Sequence, residues 1–595
     1  MTDGFESTDS NRSGAVLEAL RVVRLADGLT TASGETLRDV QVAYETYGEL
    51  NAARDNAVLL CHAMSGDSHV ARHHPEDSPG WWERLVGPGR AIDTDHFFVI
   101  CSNVLGGCRG TTGPASTDPA TQRPYGSSFP TITVEDMVDV QQRLLTQLGI
   151  THLRAVVGGS LGGHQALCWA TRYPSWVTTA VVIAASARLS SQALAFDVVG
   201  RNAILSDPHF AGGQYYGAEA QPDTGLAIAR MVAHITYLSS ASMDEKFELD
   251  RHRPRELATA FEKRFSVGSY LAYQGERFVE RFDANSYVTI SLALDQFDLG
   301  ATEAERRAAL SRATCDWLVI SFSSDWLFPP AQSRQLVESM TALGQPVTYC
   351  EVPTDGGHDG FLLPNEIDHY APLVAAKLGR RSAHAPAIKP EHHRIVELIA
   401  EGASVLDLGC GDGALLAHLR ERGHSDLCGV DVDSAKLTAA AQYGVEVLDY
   451  DLNLGLPQFG DQRFDYVVIA STLQAVPDVQ KMLLDALRVG RFAILSMGNF
   501  AYRPLREMFY REGRVPKSPD GVFPYEWYDT PNRRFPSIRD VLDLCEQLDI
   551  AVVDARYYAL AEEGRSVSAE EDANLAADTA VLLLQRRGHA DAPPS

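Results

Sequence analysis

A serine, an aspartate and a histidine stand in local sequences that suit nucleophilic catalysis. Ser160 lies in GGSLGG, between the apolar run LRAVV and the helix-like stretch HQALCWATRYP. Gly158 and Gly162 complete a G-x-S-x-G pattern, which places a serine on a sharp strand-to-helix turn. The start of the helix would direct free N–H groups toward charge that develops beside the serine. The pattern therefore predicts a nucleophile elbow.

The base and the acid that this serine needs follow it in the order expected for such an elbow. Asp325 ends the strand-like run WLVISFSS, and His358 lies in the glycine-rich TDGGHDGFL after YCEVP. Each has a structural alternative, a helix N-cap for the aspartate and a surface loop for the histidine. Their joint occurrence after the elbow favours a triad. An oxyanion hole would use the amide of Leu161 and one from the loop after AVLLC, at Ala63 or Met64.

A second glycine-rich loop follows the strand-like ASVLDL. Asp407 lies at the end of this run, the loop contains Gly409 and Gly411 and precedes a helix-like stretch, and the next strand-like run places Asp431 at its end. Glycines let a ligand approach the backbone, and an acid after the second strand can bind ribose hydroxyls. The lack of a third spaced glycine and the leading Asp407 favour S-adenosylmethionine over a dinucleotide. The alternative is a turn needed only for packing.

Short β-branched runs alternate with longer amphipathic segments, which predicts an α/β fold with a mostly parallel sheet. The clearest runs are Ala57–Cys61, Phe97–Cys101, Leu153–Val157 and Trp317–Ser321. From about residue 190 to 312 the sequence is helical and rich in methionine and aromatic residues, as in an inserted cap. Residues 379–393, GRRSAHAPAIKPEHH, have the composition of a linker.

Length and composition limit the class of protein. The 595 residues imply two or three domains, at roughly 150 residues for each. The net charge of −26 disfavours a nucleic-acid partner, because the sequence has no basic patch to offset it. The nine cysteines form no C-x-x-C pair, the first twenty residues lack the features of a signal peptide, and no apolar run approaches the ~18 residues of a membrane span. We therefore expect a soluble cytoplasmic protein with no metal site and no membrane partner.

The first ~380 residues resemble homoserine O-acyltransferases of the α/β-hydrolase superfamily. The matching stretches are CHAMSGDSHV, PGWWERLVGPGRAIDTDHFFVICSNVLGGCRGTTGP, VVGGSLGGHQALCWA, ARMVAHITYLS, RFDANSYVTI, SDWLFPP and GHDGFL. The resemblance implies ping-pong acyl transfer from an acyl-CoA to L-homoserine, with Ser160 as nucleophile, Asp325 as orienting acid and His358 as general base. It also implies that Arg230 and Asp359 bind the substrate's carboxylate and ammonium. The alternative for Arg230 is a solvated helix charge.

The acyl donor depends on a single position in this resemblance. Members that resemble succinyltransferases carry an arginine two residues after the catalytic aspartate, where this chain has Leu327. An apolar residue there favours acetyl-CoA, because burying a succinyl carboxylate without a cation is costly. The stretch ARLSSQALAFDVVGRNAILSDP also resembles succinyl-type members, so succinyl-CoA is the alternative donor. A serine esterase is a further alternative, although it has no use for Arg230 and Asp359.

The region from about residue 389 to 587 is similar to the methionine-biosynthesis protein MetW, a methyltransferase-like family. The supporting stretches are VLDLGCGDGALL, FDYVVIASTLQAV, LRVGRFAILSMGNF and PYEWYDTPN. The resemblance implies a Rossmann-like class I methyltransferase domain. Its S-adenosylmethionine site would be lined by Asp407, Gly409, Gly411 and Asp431. SMGNF departs from the family's usual SFPNF, and no methyl acceptor is evident. The candidates for a general base are Tyr525, Glu526 and Asp529. The alternative is a regulatory module that keeps only the fold.

These observations predict the organisation of the chain. We expect a disordered N terminus at 1–15, an α/β-hydrolase domain at 16–380 with a helical cap at about 190–312, a linker at 381–390, a MetW-like domain at 391–589 and a tail at 590–595. The first resemblance further implies a homodimer formed through the cap. Two methionine-pathway resemblances in one chain suggest a shared pathway.

Overall fold

The computed structural model describes residues 19–588, except 26, 383–385, 518–522, 563 and 569. The chain divides into two compact units, with the boundary between Leu378 and Gly379, and residues 348–350 group with the second unit. The predicted disordered N terminus, the tail at 590–595 and residues 383–385 of the predicted linker lie outside the described residues. Among the described helices, none combines the length and the apolar character needed to cross a membrane.

The first unit contains a central sheet and two small two-stranded ladders. Its strands are β1 (Arg21–Leu25), β2 (Leu29–Thr30), β3 (Thr36–Leu37), β4 (Val40–Tyr47), β5 (Ala57–Cys61), β6 (Val86–Gly87), β7 (Ile92–Asp93), β8 (Phe98–Ser102), β9 (Ala155–Gly159), β10 (Thr179–Ile183), β11 (Asp316–Phe322) and β12 (Val347–Val352). The central sheet has the order β1-β4-β8-β5-β9-β10-β11-β12. Strands β8, β5, β9, β10 and β11 are parallel, whereas β1 and β4 add an antiparallel edge.

Ten α-helices are described in the first unit. They are α1 (Val134–Gln147), α2 (Leu161–Arg172), α3 (Ser191–Leu205), α4 (Asp223–Tyr237), α5 (Ser240–Phe247), α6 (Ser266–Val279), α7 (Ala284–Asp295), α8 (Glu303–Leu310), α9 (Pro330–Ala342) and α10 (Pro364–Lys377). Helices α3 to α8 are inserted between β10 and β11, in the region where the sequence predicts a cap. Short 3-10 turns are at 126–128, 174–176, 208–213 and 357–361.

The apolar runs of the sequence become the central strands. Every residue of β5, β9 and β10 is buried, because helices cover a parallel sheet on both faces and leave no strand face for water. The predicted run at Ala57–Cys61 is β5, and the run at Trp317–Ser321 lies within β11. The runs predicted at Phe97 and Leu153 begin later, at Phe98 and Ala155. The predicted α/β architecture with a mostly parallel sheet is confirmed for this unit.

The second unit contains a doubly wound sheet. Its strands are β13 (Val405–Leu408), β14 (Leu427–Asp431), β15 (Glu446–Asp449), β16 (Phe464–Ala470), β17 (Gly490–Gly498), β18 (Ile550–Ala559), β19 (Arg565–Ser566) and β20 (Thr579–Arg586). Their order is β15-β14-β13-β16-β17-β20-β18-β19, with β13 to β17 mutually parallel and β20 antiparallel to both neighbours. The order reverses between β13 and β16. Open α/β sheets bind ligands at such a switch point.

Seven α-helices are described in the second unit. They are α11 (Pro390–Val396), α12 (Ala414–Glu421), α13 (Ser434–Ala441), α14 (Val479–Val489), α15 (Arg503–Glu512), α16 (Ile538–Gln547) and α17 (Ala573–Ala576), with 3-10 turns at 452–454 and 560–562. Helix α12 connects β13 to β14, and α13 connects β14 to β15, so the first glycine-rich turn opens directly onto a helix. This is the strand, loop, helix and strand sequence predicted around Asp407.

Candidate functional site

Ser160 sits on a strained turn between β9 and α2. Its backbone has φ 57° and ψ −123°, a conformation that residues other than glycine rarely adopt. A Cβ atom on Gly158 would lie 2.1 Å from the carbonyl oxygen of Gly162, and one on Gly162 would lie 2.0 Å from that of Cys61. The glycines of the motif are therefore required by close backbone contacts, and the turn places the serine at the carboxyl end of the sheet.

The predicted triad residues are joined by two hydrogen bonds. Ser160 Oγ lies 2.9 Å from His358 Nε2, and His358 Nδ1 donates to Asp325 Oδ2 at 2.8 Å. All three residues are buried. The other oxygen of Asp325 accepts the amide N–H groups of Leu327 and Phe328, at 3.0 and 2.9 Å. These bonds fix the carboxylate, so that it can hold the imidazole in one orientation.

The electrostatics of His358 follow from this arrangement. Burial lowers the pKa of His358, but the charge and hydrogen bond of Asp325, with a smaller contribution from Asp359, outweigh it, so the net shift is upward from 6.5. The raised pKa reflects an imidazolium that the neighbouring carboxylate stabilises. A histidine in this position can accept the proton of Ser160 as a general base and donate it to a leaving group as a general acid.

Two amides stand where the sequence predicts the oxyanion hole. Within the described ranges, the N–H groups of Leu161 and Met64 have no hydrogen-bond acceptor. Leu161 is the first residue of α2, whose first N–H groups have no partner within the helix. The segment with Met64 lies close by, because the Cys61 carbonyl packs against Gly162. Both N–H groups can donate hydrogen bonds to an oxyanion.

The predicted substrate-binding residues are Arg230 and Asp359. Arg230 of α4 is buried, and its Nη1 donates to Ser65 Oγ at 3.3 Å, while its Nε has no partner among the described residues. Asp359 follows His358 directly. Tyr237 is close to both His358 and Arg230: its ring lies 5.8 Å from the His358 ring and 5.7 Å from the Arg230 guanidinium. Burial raises the pKa of Tyr237 to about 12, with Arg230 opposing and Asp359 reinforcing this shift.

Tyr237 and Ser65 are site residues that the sequence interpretation does not include. A signal for Tyr237 exists, because it lies seven residues after Arg230, two helical turns along the same face of α4. Ser65 has no comparable signal, since its partner comes from a distant helix. Leu327, the predicted acyl-specificity residue, is partly buried beside the triad and contacts Asp325 through its amide.

The second unit brings its predicted cofactor residues together at the switch point. Gly409 and Gly411 have φ of 83° and 54°, and a Cβ atom on Gly409 would lie 2.3 Å from Thr472 Oγ1. The Gly411 amide donates to Asp431 Oδ2 at 2.9 Å, which links the glycine loop to the end of β14. A Cβ atom on Gly411 would meet nothing within 4 Å, so the loop backbone faces open space there.

Asp407 is the buried acid at the base of this loop. Burial, and then the charge of Asp431, raise the pKa of Asp407 to about 7, against a smaller effect of Lys389. Its Oδ1 has no hydrogen-bond partner among the described residues. An unpartnered buried oxygen favours a ligand that brings a donor. The open backbone at Gly411, the orphan oxygen of Asp407 and the acid at Asp431 fit the amino-acid and ribose parts of S-adenosylmethionine.

The remaining predicted features of the second unit are the three base candidates and the stretch SMGNF. Tyr525 and Asp529 are exposed, and Glu526 pairs with Lys517, so none of the three base candidates is buried. Asn499 of SMGNF is fully buried. Its side chain donates hydrogen bonds to two backbone carbonyls and accepts hydrogen bonds from two backbone amides, with donor–acceptor distances of 2.7 to 3.3 Å. These contacts give the loop a structural role.

Comparisons with known proteins match both units. The family model described as alpha/beta hydrolase fold matches residues 56–364, and that described as methionine biosynthesis protein MetW matches residues 389–584. A "Bifunctional methionine biosynthesis protein MetXA/MetW" from Rhodopirellula baltica is 52% identical over 98% of this chain and 96% of its own. Two relatives are 50% identical: a "Homoserine O-acetyltransferase" from Solidesulfovibrio magneticus (61% of this chain, 94% of its own) and a "Homoserine O-succinyltransferase" from Aromatoleum aromaticum (60% and 95%).

Solved structures match the first unit. A homoserine O-acetyltransferase from Bacillus anthracis is 29% identical, covers 61% of this chain and 97% of its own, and has a TM-score of 0.55. The esterase E22 reaches the same TM-score at 28% identity, over 60% of this chain and 99% of its own. The fold therefore does not separate acyl transfer to an alcohol from hydrolysis, whereas the identity over both units shows the family. The chain belongs to the family of bifunctional methionine biosynthesis proteins MetXA/MetW, in which an α/β-hydrolase unit precedes a MetW unit.

Proposed function

We propose that the first unit transfers an acetyl group from acetyl-CoA to the hydroxyl of L-homoserine, giving O-acetyl-L-homoserine and CoA for methionine biosynthesis. The observation that carries this proposal is the hydrogen-bonded series Ser160, His358 and Asp325 with a buried arginine and an aspartate beside it. A hydrolase needs only the series. The added pair of opposite charges suits an amino-acid acceptor, whose carboxylate and ammonium they match.

The first half-reaction acylates the serine. His358 takes the proton of Ser160 Oγ as that oxygen attacks the thioester carbonyl of acetyl-CoA. The amides of Leu161 and Met64 donate to the oxyanion of the tetrahedral intermediate. The C–S bond then breaks, the thiolate takes the proton from His358, and acetyl-Ser160 remains.

The second half-reaction uses the same groups in reverse. Arg230 binds the carboxylate of homoserine and Asp359 binds its ammonium, which directs the hydroxyl to acetyl-Ser160. His358 takes the hydroxyl proton, the alkoxide attacks the ester carbonyl, and the bond to Ser160 Oγ breaks as His358 returns the proton. The buried setting of the triad supports transfer over hydrolysis, because water is the competing nucleophile.

The donor assignment rests on Leu327. The two relatives at 50% identity carry different donor names, so identity alone does not choose between acetyl and succinyl. The Leu327 amide donates to the carboxylate of Asp325, and this proximity to the triad supports a role for Leu327 in the choice of acyl group. An apolar side chain there provides no charge to balance a succinyl carboxylate. Acetyl-CoA is therefore the proposed donor.

The second unit is proposed to bind S-adenosylmethionine. Asp407, Gly409, Gly411 and Asp431 would hold it, with the acid of β14 on the ribose hydroxyls. The cofactor, when bound, supplies an activated methyl group. Because the base candidates are exposed or ion-paired, we propose this unit first as a ligand-binding module of the acetyltransferase, with methyl transfer as its alternative role.

We also propose that the protein is a cytoplasmic homodimer. Large apolar side chains remain exposed on the cap helices α3, α4 and α7, and these would be covered in a homodimer. They are Val198, Val199, Leu205, Ile228, Ile235 and Leu292. None of the nine cysteines forms a disulfide bond in the structure, which supports a reducing compartment, and we propose the cytoplasm as the location of the protein.

The pH dependence of acylation tests the role of His358. Only the neutral imidazole accepts the serine proton, and its pKa is raised above 6.5, so the rate should fall as the pH drops through a midpoint above 6.5. Asp325→Asn removes the stabilising charge, so the midpoint should move to lower pH and the maximal rate should fall by about 10³- to 10⁴-fold. Single-turnover acylation measures both. Asp368→Asn, at an exposed ion pair, is the control and should change neither. An unmoved midpoint in Asp325→Asn would contradict this role.

Donor choice can be measured by direct competition. Homoserine with equal acetyl-CoA and succinyl-CoA should yield acetylhomoserine in at least about tenfold excess, and Ser160→Ala should yield neither product. Leu327→Arg should raise the succinyl share, because it adds the missing cation. Mass spectrometry of the products gives the ratio. Dominant succinylhomoserine from the wild type would overturn the donor assignment and leave the triad standing.

Titration calorimetry with S-adenosylmethionine tests the second unit. The full chain should bind one equivalent, and Asp431→Ala should weaken binding by about 10- to 100-fold, as expected for lost hydrogen bonds to a charged group. Asp426→Ala, which removes an exposed partner of Arg463 just before the same strand, should not change the affinity. No binding to the wild type, or equal loss in both variants, would contradict the proposed site.

Sedimentation measures the proposed dimer. The full chain should sediment at twice its 64.9 kDa. Val199→Glu combined with Leu205→Glu should shift it toward the monomer, because the two new charges would have to be buried. Leu454→Glu, at an equally exposed apolar side chain of the second unit, should leave the mass unchanged. A monomeric wild type would exclude the dimer.

A further inference from the structure

A buried carboxylate on β4 collects four hydrogen bonds away from the triad. Glu45 Oε1 accepts from Ser68 Oγ at 3.0 Å. Its Oε2 lies 2.8 Å from His69 Nδ1, 2.8 Å from His73 Nε2 and 3.1 Å from the Tyr47 hydroxyl. Glu45 and His69 are almost completely buried. We call these five residues the Glu45 cluster.

The protonation of the cluster follows from its partners. Besides Glu45, His69 contacts the carbonyl oxygen of Ser78, which lies 2.8 Å from Nε2 and can only accept. Both ring nitrogens therefore donate, and His69 is an imidazolium paired with Glu45. Burial raises the pKa of Glu45, but the hydrogen bonds from His69 and His73 outweigh it and bring the pKa to about 2. The pair is a buried, fully ionised contact.

Metal binding is a second interpretation of the same three side chains, since one ligand atom from each lies within 4.8 Å of the others. The contacts argue against it. Glu45 Oε2 lies 2.8 Å from both ring nitrogens, whereas ligands around a tetrahedral zinc ion with bonds of about 2.0 Å are roughly 3.3 Å apart. The spacing is that of hydrogen bonds.

The cluster holds one end of the segment 62–70, which follows β5. Ser68 and His69 belong to both the cluster and the segment, and the Val70 amide donates to the Tyr47 hydroxyl at 3.1 Å. The Ser68 amide also donates to Asn103 Oδ1 at 2.8 Å. The backbone of this end is therefore fixed by side chains from β4 and from the end of β8.

The other end of the same segment belongs to the candidate active site. His62 is buried, its Nε2 accepts the Val104 amide at 3.1 Å, and the Gly66 amide donates to the Ala63 carbonyl. Between these anchors lie the free amide of Met64 and the hydroxyl of Ser65 that accepts from Arg230 at 3.3 Å. A shift of the segment would move both groups together.

We propose that Glu45 and His69 are positioning residues for acyl transfer, which hold segment 62–70 so that the Met64 amide faces the oxyanion and Ser65 orients Arg230. This inference rests on the proposed acyl transfer of the first unit. It assigns the buried charge a task in the reaction, since a carboxylate with four donors fixes a loop more firmly than a neutral side chain of the same shape.

The test compares Glu45→Gln with Asp136→Asn in the full chain. Asp136 is the matched control, because it is also buried and the three hydrogen bonds that it accepts come from Ala32 and Thr133, outside segment 62–70. Acylation by acetyl-CoA is followed by rapid quench and intact mass, which gives the fraction of chains that acylate and the rate constant for those chains. Steady-state assays then give kcat and the KM for homoserine, and elemental analysis gives bound metal.

Glu45→Gln should acylate to the same final fraction as the wild type, with a rate constant about 10- to 100-fold lower, because a misplaced oxyanion donor is partly lost. Its KM for homoserine should also rise, through Ser65 and Arg230. Asp136→Asn should change neither value per acylated chain. A normal rate constant with a smaller acylated fraction would show a purely structural role and overturn the proposal, as would stoichiometric metal at the cluster. A wild type that does not acylate would instead refute the proposed function.

Discussion

The close backbone packing around the turn between β9 and α2 is the constraint on which the first unit depends. Ser160 keeps a positive φ because Gly158 and Gly162 allow carbonyl groups to approach to within about 2 Å of where a side chain would begin. That contact also brings the Cys61 carbonyl, and with it the segment after β5, beside the start of α2. The nucleophile and the amides proposed for the oxyanion are thus placed by one packing arrangement, with the strain supported by a fully buried sheet.

Each unit places its reactive groups at the carboxyl ends of parallel strands. In the first unit, loops after β9, β11 and β12 contribute the serine, the aspartate and the histidine. In the second, the loop after β13 contributes the glycines, and the ends of β13 and β14 contribute two acids, at the point where strand order reverses. Both use glycine for approach and buried carboxylates for charge. The two units differ in chemistry. The first has a nucleophile paired with a base at the strand ends, whereas the second has a backbone loop that faces open space.

Local sequence predicts the parts of this molecule that short-range sterics and burial determine. The run AVLLC is β5 to the residue, and the glycine pattern around Ser160 forms an elbow with the predicted conformation. Asp325 and His358 could be chosen because each follows an apolar strand. Glu45 could not, since its four partners come from 47 and from 68–73 and meet only in the folded chain. The assignments of substrate and cofactor residues remain predictions, because contacts within the protein do not name a ligand.

The central claim is that Ser160 carries the acyl group and passes it to homoserine in preference to water. The most direct measurement is intact mass and peptide mapping of the full chain mixed with acetyl-CoA alone and then with homoserine. The account predicts one acetyl group on Ser160 that persists without acceptor and is discharged within one turnover on addition of homoserine, as acetylhomoserine. An acetyl group on another residue, or one lost to water as fast as to homoserine, would contradict it.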